Sequence, residues 1–137
     1  MTLLRRHDVV LDREYDGTTH TLRVARTDMV ACLTARGIDE DLRDRAELVL
    51  SELASNAVQA APGNPFSLRL ALADDGSLVM ALTSHTYDGG PPPRREWSPD
   101  NVLAPSGRGL MIVDHLAEVV NVERPAVDRV IVTATLR

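Results

Sequence analysis

The sequence predicts an α+β fold: a two-layer α/β sandwich in which helices cover one face of a mixed, mostly antiparallel sheet. Three observations carry this. Apolar residues recur at helical spacing in three separate stretches, and β-rich runs occur in hairpin-like pairs rather than alternating one by one with helices. At 137 residues the chain suffices for one domain with its own core, expected to span 1–137.

The elements follow in the order β-α-α-β-β-loop-α-β-β. Val9-Val10-Leu11 lies in a partly alternating run ending at Asp16-Gly17, an edge strand and a turn. Leu22, Ala25, Met29, Ala31 and Leu33 mark a helix closed by Arg36-Gly37. Asp39 stands at the N-cap of a second helix, Glu40 and Asp41 favour its positive end, and Pro62-Gly63 stops it. Phe66 to Ala73 and Leu78 to Thr83 form a hairpin across Asp74-Asp75-Gly76-Ser77, with Phe66, Leu68, Leu70 and Leu72 aimed at the helical layer. Residues 85–106 hold Gly89, Gly90, three consecutive prolines, Pro99 and Pro105, and fit no regular element; a long excursion of the lid type is expected. A third helix resumes after Gly109 through Leu110, Ile112, Val113 and Leu116. The chain closes with Val119–Val122 and Val130–Ala134, two strands about a turn containing Pro125.

Composition narrows the function. Hydrophobic residues make up 44% and charged residues 26%, as in soluble globular domains. Aromatics are scarce at 3%, which starves a base-stacking surface, and a net charge of −5 disfavours a polyanionic partner. No nucleic acid is expected. Cys32 is the lone cysteine, so no intrachain disulfide forms, and His7, His20, His85 and His115 have no metal spacing between them. The first residues lack the apolar stretch of a signal peptide, and nowhere do about 18 apolar residues run together. The expectation is a cytoplasmic protein with no membrane association.

Two motifs carry chemistry. On the second helix, Leu42, Ala46, Val49, Leu53, Ala57 and Ala60 make a core-facing stripe. Beside it, Glu52, Ser55, Asn56 and Gln59 fall at i, i+3, i+4 and i+7, a polar stripe of neighbours. Such a stripe is commonly just a solvated face. It also suits two tasks: the Asn56 amide oxygen can ligate a hard cation such as Mg²⁺, and Glu52 can take a proton from a water or hydroxyl nucleophile. The second motif is the turn Gly107-Arg108-Gly109, which leads directly into the third helix. Glycines there allow close backbone approach, free N–H groups attract anions, and Arg108 can add a charge-assisted phosphate contact. An ordinary N-cap turn with a solvated arginine has the same pattern.

The stretch Ser51-Glu52-Leu53-Ala54-Ser55-Asn56-Ala57-Val58-Gln59-Ala60 resembles the N-box of the histidine-kinase-like ATPase superfamily, in particular its anti-sigma factor serine kinase branch of actinobacterial type. Gly107-Arg108-Gly109-Leu110, running on through Met111 to Ala117, resembles the second glycine box of that family. The order and intervening elements match, and the resemblance covers about residues 20 to 136. It implies ATP and Mg²⁺ as ligands, with Asn56 on the metal, Glu52 as the base that activates a serine of an anti-sigma-factor antagonist, and Gly107 and Gly109 against the phosphates. It implies an anti-sigma factor with serine/threonine kinase activity, partnered by a sigma factor, the antagonist, or both. Members of the family often form homodimers.

The chain departs from that pattern in three places. The Asp that reads the adenine amino group is Ser84 here, with Asp88-Gly89-Gly90 as a second source of a carboxylate. A Thr on the last strand aligns with Ile131, leaving Thr133 two residues on as the adenine-side hydroxyl. An Arg before the second glycine box is replaced by Ala104-Pro105, so Arg108 is the nearest cation. A degenerate member that binds protein partners with weak or no ATP binding is the alternative reading.

Overall fold

A computed structural model describes residues 7–86 and 107–137 of the chain. The element order is β1 (His7–Tyr15), α1 (Thr19–Ala35), α2 (Glu40–Ala60), β2 (Phe66–Ala73), β3 (Leu78–His85), α3 (Gly107–Leu116), β4 (Val119–Ala126) and β5 (Arg129–Leu136). The excursion expected at 85–106 lies outside the described residues from position 87 onward.

The five strands form one sheet in the order β1-β2-β3-β5-β4, and all four ladders are antiparallel. Two hairpins, β2–β3 and β4–β5, therefore meet along the β3–β5 ladder, with β1 added at one edge. Strand period sorts the side chains. Phe66, Leu68 and Leu70 of β2, Leu78, Met80 and Leu82 of β3, and Val130, Val132, Ala134 and Leu136 of β5 all turn to the same face and are buried there. The helices cover that face: α2 packs on β2, β3 and β5, α1 on β1 and α2, and α3 on α2. The core joins these strand residues to Ala25, Met29 and Leu33 of α1, to Leu42, Ala46, Val49, Leu50, Leu53, Ala54 and Ala57 of α2, and to Leu110 and Val113 of α3. Full burial of each Leu, Val, Met or Phe side chain among them contributes about 1.5–3 kcal/mol.

Local chemistry explains the helix ends. Thr18 caps α1: its hydroxyl accepts the Thr21 N–H at 3.2 Å, and the Thr21 hydroxyl returns a bond to the Thr18 backbone. Arg36 follows as C-cap. Asp39 occupies the N-cap position of α2 as expected, but its side chain makes no capping bond there; the acidic first turn, Glu40 and Asp41, matches the positive helix end. At the C-terminal hairpin the turn falls at Val127-Asp128, and Pro125 lies within β4 at a register irregularity between Glu123 and Ala126. Because β4 is an edge strand, proline removes no ladder bond from a central position there.

Beyond the β1–β2 ladder and the α1–α2 packing, two contacts hold the β1–α1 segment to the rest. Gly17 lies against the backbone of Asn64, where an added Cβ would strike the Asn64 carbonyl oxygen and approach its carbonyl carbon to 3.0 Å; the Gly63 N–H donates to the Gly17 carbonyl at 3.1 Å. Backbone cannot swing aside as a side chain can. Gly17→Ala is therefore expected to destabilise the fold by about 1–3 kcal/mol, read as a lower urea midpoint with unchanged slope.

The second contact is Tyr15, which stacks on Phe66 with ring centroids 5.5 Å apart and donates its hydroxyl to Asp28 at 2.8 Å. Arg13 reaches the same Asp28 oxygen at 2.8 Å. Burial, and then the Asp28 carboxylate, raise the phenol pKa above its ordinary value of 10.0. The unfolded chain thus releases this proton first, and stability present below about pH 10 declines as pH rises past that value. Tyr15→Phe is expected to flatten that alkaline decline in unfolding midpoints measured from about pH 8 to about pH 11.

Candidate functional site

The core stripe of α2 is buried as its spacing predicts, except at Ala60, which is half-buried. The polar stripe beside it is not uniformly solvated. Glu52, Ser55 and Asn56 are half-buried, and only Gln59, nearest the helix end, is exposed. Glu52 and Asn56 lie one turn apart on this face, their Cβ atoms roughly 5–6 Å from each other by helical geometry.

The cover over Glu52 is α3. Gly109, in the first turn of α3, is buried, and an added Cβ would collide with the Glu52 carboxylate, coming 3.2 Å from its Cδ and 3.7 Å from its Cβ. Glycine lets that turn settle on the Glu52 carboxylate as it stands; a side chain there would make the end of Glu52 swing aside. The contact also places a carboxylate beside a helix start, where the unpaired N–H groups and the helix dipole favour negative charge. Gly107 begins the same turn; the Arg108 side chain falls outside what is described.

The C-terminal end of β3 lies on the same, helix-covered side of the sheet; α2 runs through a short turn into Phe66 at the start of β2, and Ser67 pairs with Thr83 of β3. Ser84 turns to the helix-covered face and is buried at 7% exposure; its partner on the next strand is Val130. Thr86, also buried, donates its backbone N–H to the Asp128 carbonyl at 2.9 Å, and the chain leaves the described region immediately after it.

The structure brings Glu52, Asn56, Gly107, Gly109 and Ser84 to one side of the sheet. It does not bring Thr133 there. Thr133 pairs with Ala81, and Ile131 with Thr83, on the face turned away from the helices, whereas Ser84 pairs with Val130. The adenine-side hydroxyl expected at Thr133 is thus on the opposite face, and the last-strand residue beside Ser84 is Val130, which the sequence reading passed over. A one-residue offset in aligning a strand exchanges its two faces, and only the ladder register fixes the choice. Asp88-Gly89-Gly90, the second source of a carboxylate, lies outside the described residues.

The donor set suits a magnesium nucleotide. An amide oxygen and a carboxylate one turn apart match a hard cation that takes few protein ligands and keeps waters and phosphate oxygens. The Gly109 approach keeps a helix start free of side-chain bulk where an anion would be held. Among the described residues no group of three or more His, Cys, Asp or Glu side chains clusters as a metal cage, and no helix is long and apolar enough to cross a membrane.

Comparison with known proteins bears on the same elements. The chain is similar in structure to the RsbU and RsbW domains of Rv1364c from Mycobacterium tuberculosis, with a TM-score of 0.67 and 20% identity over 93% of this chain and 32% of that one. It spans about a third of that longer chain. It is similar also to a chain of the SiaB–SiaC complex from Pseudomonas aeruginosa, with a TM-score of 0.75 and 12% identity over 93% of this chain and 89% of that one. At these identities the likeness is one of fold. No curated protein matches the chain. The model of the histidine kinase-like ATPase domain matches residues 16–136, which takes in every described helix and all described strands but β1, and the chain belongs to that family.

Proposed function

We propose that the chain is an ATP-binding regulator of the anti-sigma-factor type, which transfers phosphate to a serine or threonine of an antagonist protein and engages a sigma factor in turn. The observation that carries this reading is the half-buried Glu52 side chain lying against Gly109 of α3, with Asn56 one turn away. A solvated helix face would not be covered by a glycine-started helix.

Each residue then has a task. Asn56 would hold Mg²⁺ through its amide oxygen, and the cation would supply neutralising charge to the phosphates. The first turn of α3, from Gly107 through Gly109, would offer backbone N–H groups to the phosphate oxygens. Glu52, half-buried and fixed against Gly109, would accept the hydroxyl proton of the attacking serine.

Calorimetry with millimolar ATP tests the binding. Magnesium-dependent heat is expected for the natural sequence, and Asn56→Ala is expected to remove the magnesium dependence. Glu52→Gln is expected to retain ATP while phosphate transfer to a candidate antagonist falls about 10²–10⁴-fold. Phosphate appearing free in solution rather than on the antagonist would instead mark simple hydrolysis. Gly109→Ala adds one methyl group where the Glu52 carboxylate lies, and should lower transfer more than it lowers thermal stability, as judged by rate and melting temperature side by side.

A second reading has its own observation. Val130 beside Ser84 makes the far end of the site weakly polar, which fits a protein-binding member that has lost nucleotide affinity. Absence of any heat with ATP and magnesium would favour it.

A further inference from the structure

The i, i+4 ridge of α2 that carries Asn56 and Glu52 does not end at the site. Followed toward the helix start, it runs on through Leu48, Asp44 and Glu40. Asn56 and Glu52 are half-buried, and the next three positions of the ridge are all exposed. Leu48 is 50% exposed and is the one apolar residue among the exposed positions of α2, the others being Glu40, Asp41, Asp44 and Gln59. A lone exposed leucine is ordinary on a protein surface. This one is set apart by its place, one turn and about 6 Å along the axis from Glu52. The phosphate chemistry just described gives it no task. The approach of a substrate to Glu52 does. At the Asn56 end of the ridge the magnesium nucleotide would lie, the first turn of α3 lies against Glu52 at Gly109, and the core stripe closes the inner side. A protein that brings a hydroxyl to Glu52 is left the outward side and the helix start, and Leu48 is the first side chain of the ridge it meets there.

Resting on the phosphate-transfer reading above, we propose that Leu48 is a docking residue for the protein substrate, which sets an apolar side chain on it beside the acceptor hydroxyl and basic groups beyond, toward Asp44 and Glu40. Half of the Leu48 side chain faces water, and a partner that covers it gains the free energy of removing that apolar surface. The ridge also gives the spacing. The apolar contact falls about 6 Å from the acceptor, and the basic groups about 12–18 Å from it, measured along the helix axis. The cations of this helix leave the two ridge carboxylates their charge: Arg45 holds Asp41 at 3.0 Å, and Arg43 donates to Thr34 at 2.6 Å. Opposite charge on the partner would steer it and fix its register, while the apolar contact would hold it. Leu48 touches neither phosphate nor proton in this arrangement and acts by placing the substrate. A water nucleophile would have no use for such a surface, so the ridge favours a protein acceptor over simple hydrolysis.

The test is steady-state kinetics of the full chain with magnesium and γ-labelled ATP, the probe being the candidate antagonist that the natural sequence labels. Leu48→Ala keeps helix propensity and removes no buried group, so it should fold as the natural sequence does. It is expected to raise KM for the antagonist about fivefold or more, with kcat and ATP affinity within about twofold. Leu48→Met, which restores apolar surface of similar size, should return KM to within about twofold of the natural value. For the natural sequence KM should rise between about 50 and about 300 mM salt, and Asp44→Lys should raise KM at low salt and flatten that dependence. A KM changed less than about threefold by Leu48→Ala overturns the inference while transfer itself, and with it the proposed function, stands. So does a fall confined to kcat, which would place Leu48 in the chemistry rather than in docking. A KM for the natural sequence that is indifferent to salt overturns the basic complement. If ATP binds and no antagonist is labelled, the transfer reading falls and this inference with it.

Discussion

Every feature of the site depends on the register of the central ladders. In β2, β3 and β5 one parity of residues is pressed against α2 and the other is turned away, and nothing intermediate is available to a pleated strand. The buried parity is held by a continuous apolar core, so a slip of one residue would expose Leu68, Met80 and Val132 together and bring in Arg69 and Thr133. That penalty fixes the register firmly. It also fixes which polar groups stand near α2. Ser84 is admitted because it shares parity with Leu82 and Met80, and Thr133 is excluded because it shares parity with Ile131.

The helical layer imposes a second restriction. A helix that packs on three sheet strands and two other helices has little surface left, and α2 gives its remaining side to Glu52, Ser55 and Asn56. The first turn of α3 rests on this side at Gly109. Steric demand and electrostatics agree at that point, since the missing side chain makes room for the carboxylate and the helix start attracts it. The α2–α3 contact therefore serves stability through Leu53, Leu110 and Val113, and the site through Glu52.

The element order, the β2–β3 hairpin and the core stripe of α2 were legible in the sequence because each rests on local periodicity. Leu42, Ala46, Val49, Leu53 and Ala57 repeat at helical spacing whatever surrounds them, and all are buried. Glu52, Asn56 and Gly109 were legible as residue types in order, though the contact between Glu52 and Gly109 was not, because it joins helices from distant parts of the chain. The face of β5 was misassigned for a similar reason: Val130-Ile131-Val132-Thr133 is β-rich in both parities, so no alternation marks the inner side. The end of β4 was misplaced at Pro125 because proline is an ordinary turn signal, and only edge position explains its tolerance within a strand.

The way the two hairpins meet has a consequence for how such a chain can vary. The segment 87–106 departs from Thr86, held by its bond to Asp128, and returns at the start of α3, held by Glu52; both anchor points belong to the packed body. Among the described residues, β3 takes its ladder partners from β2 and β5. Closing a connection between fixed ends costs free energy only as the logarithm of its length, about 0.6 kcal/mol for each doubling. A change of length between the anchors thus costs little through closure itself. Evolution can rewrite that stretch to suit a ligand or a partner while the sheet, the helices and the Glu52–Gly109 contact stay as they are.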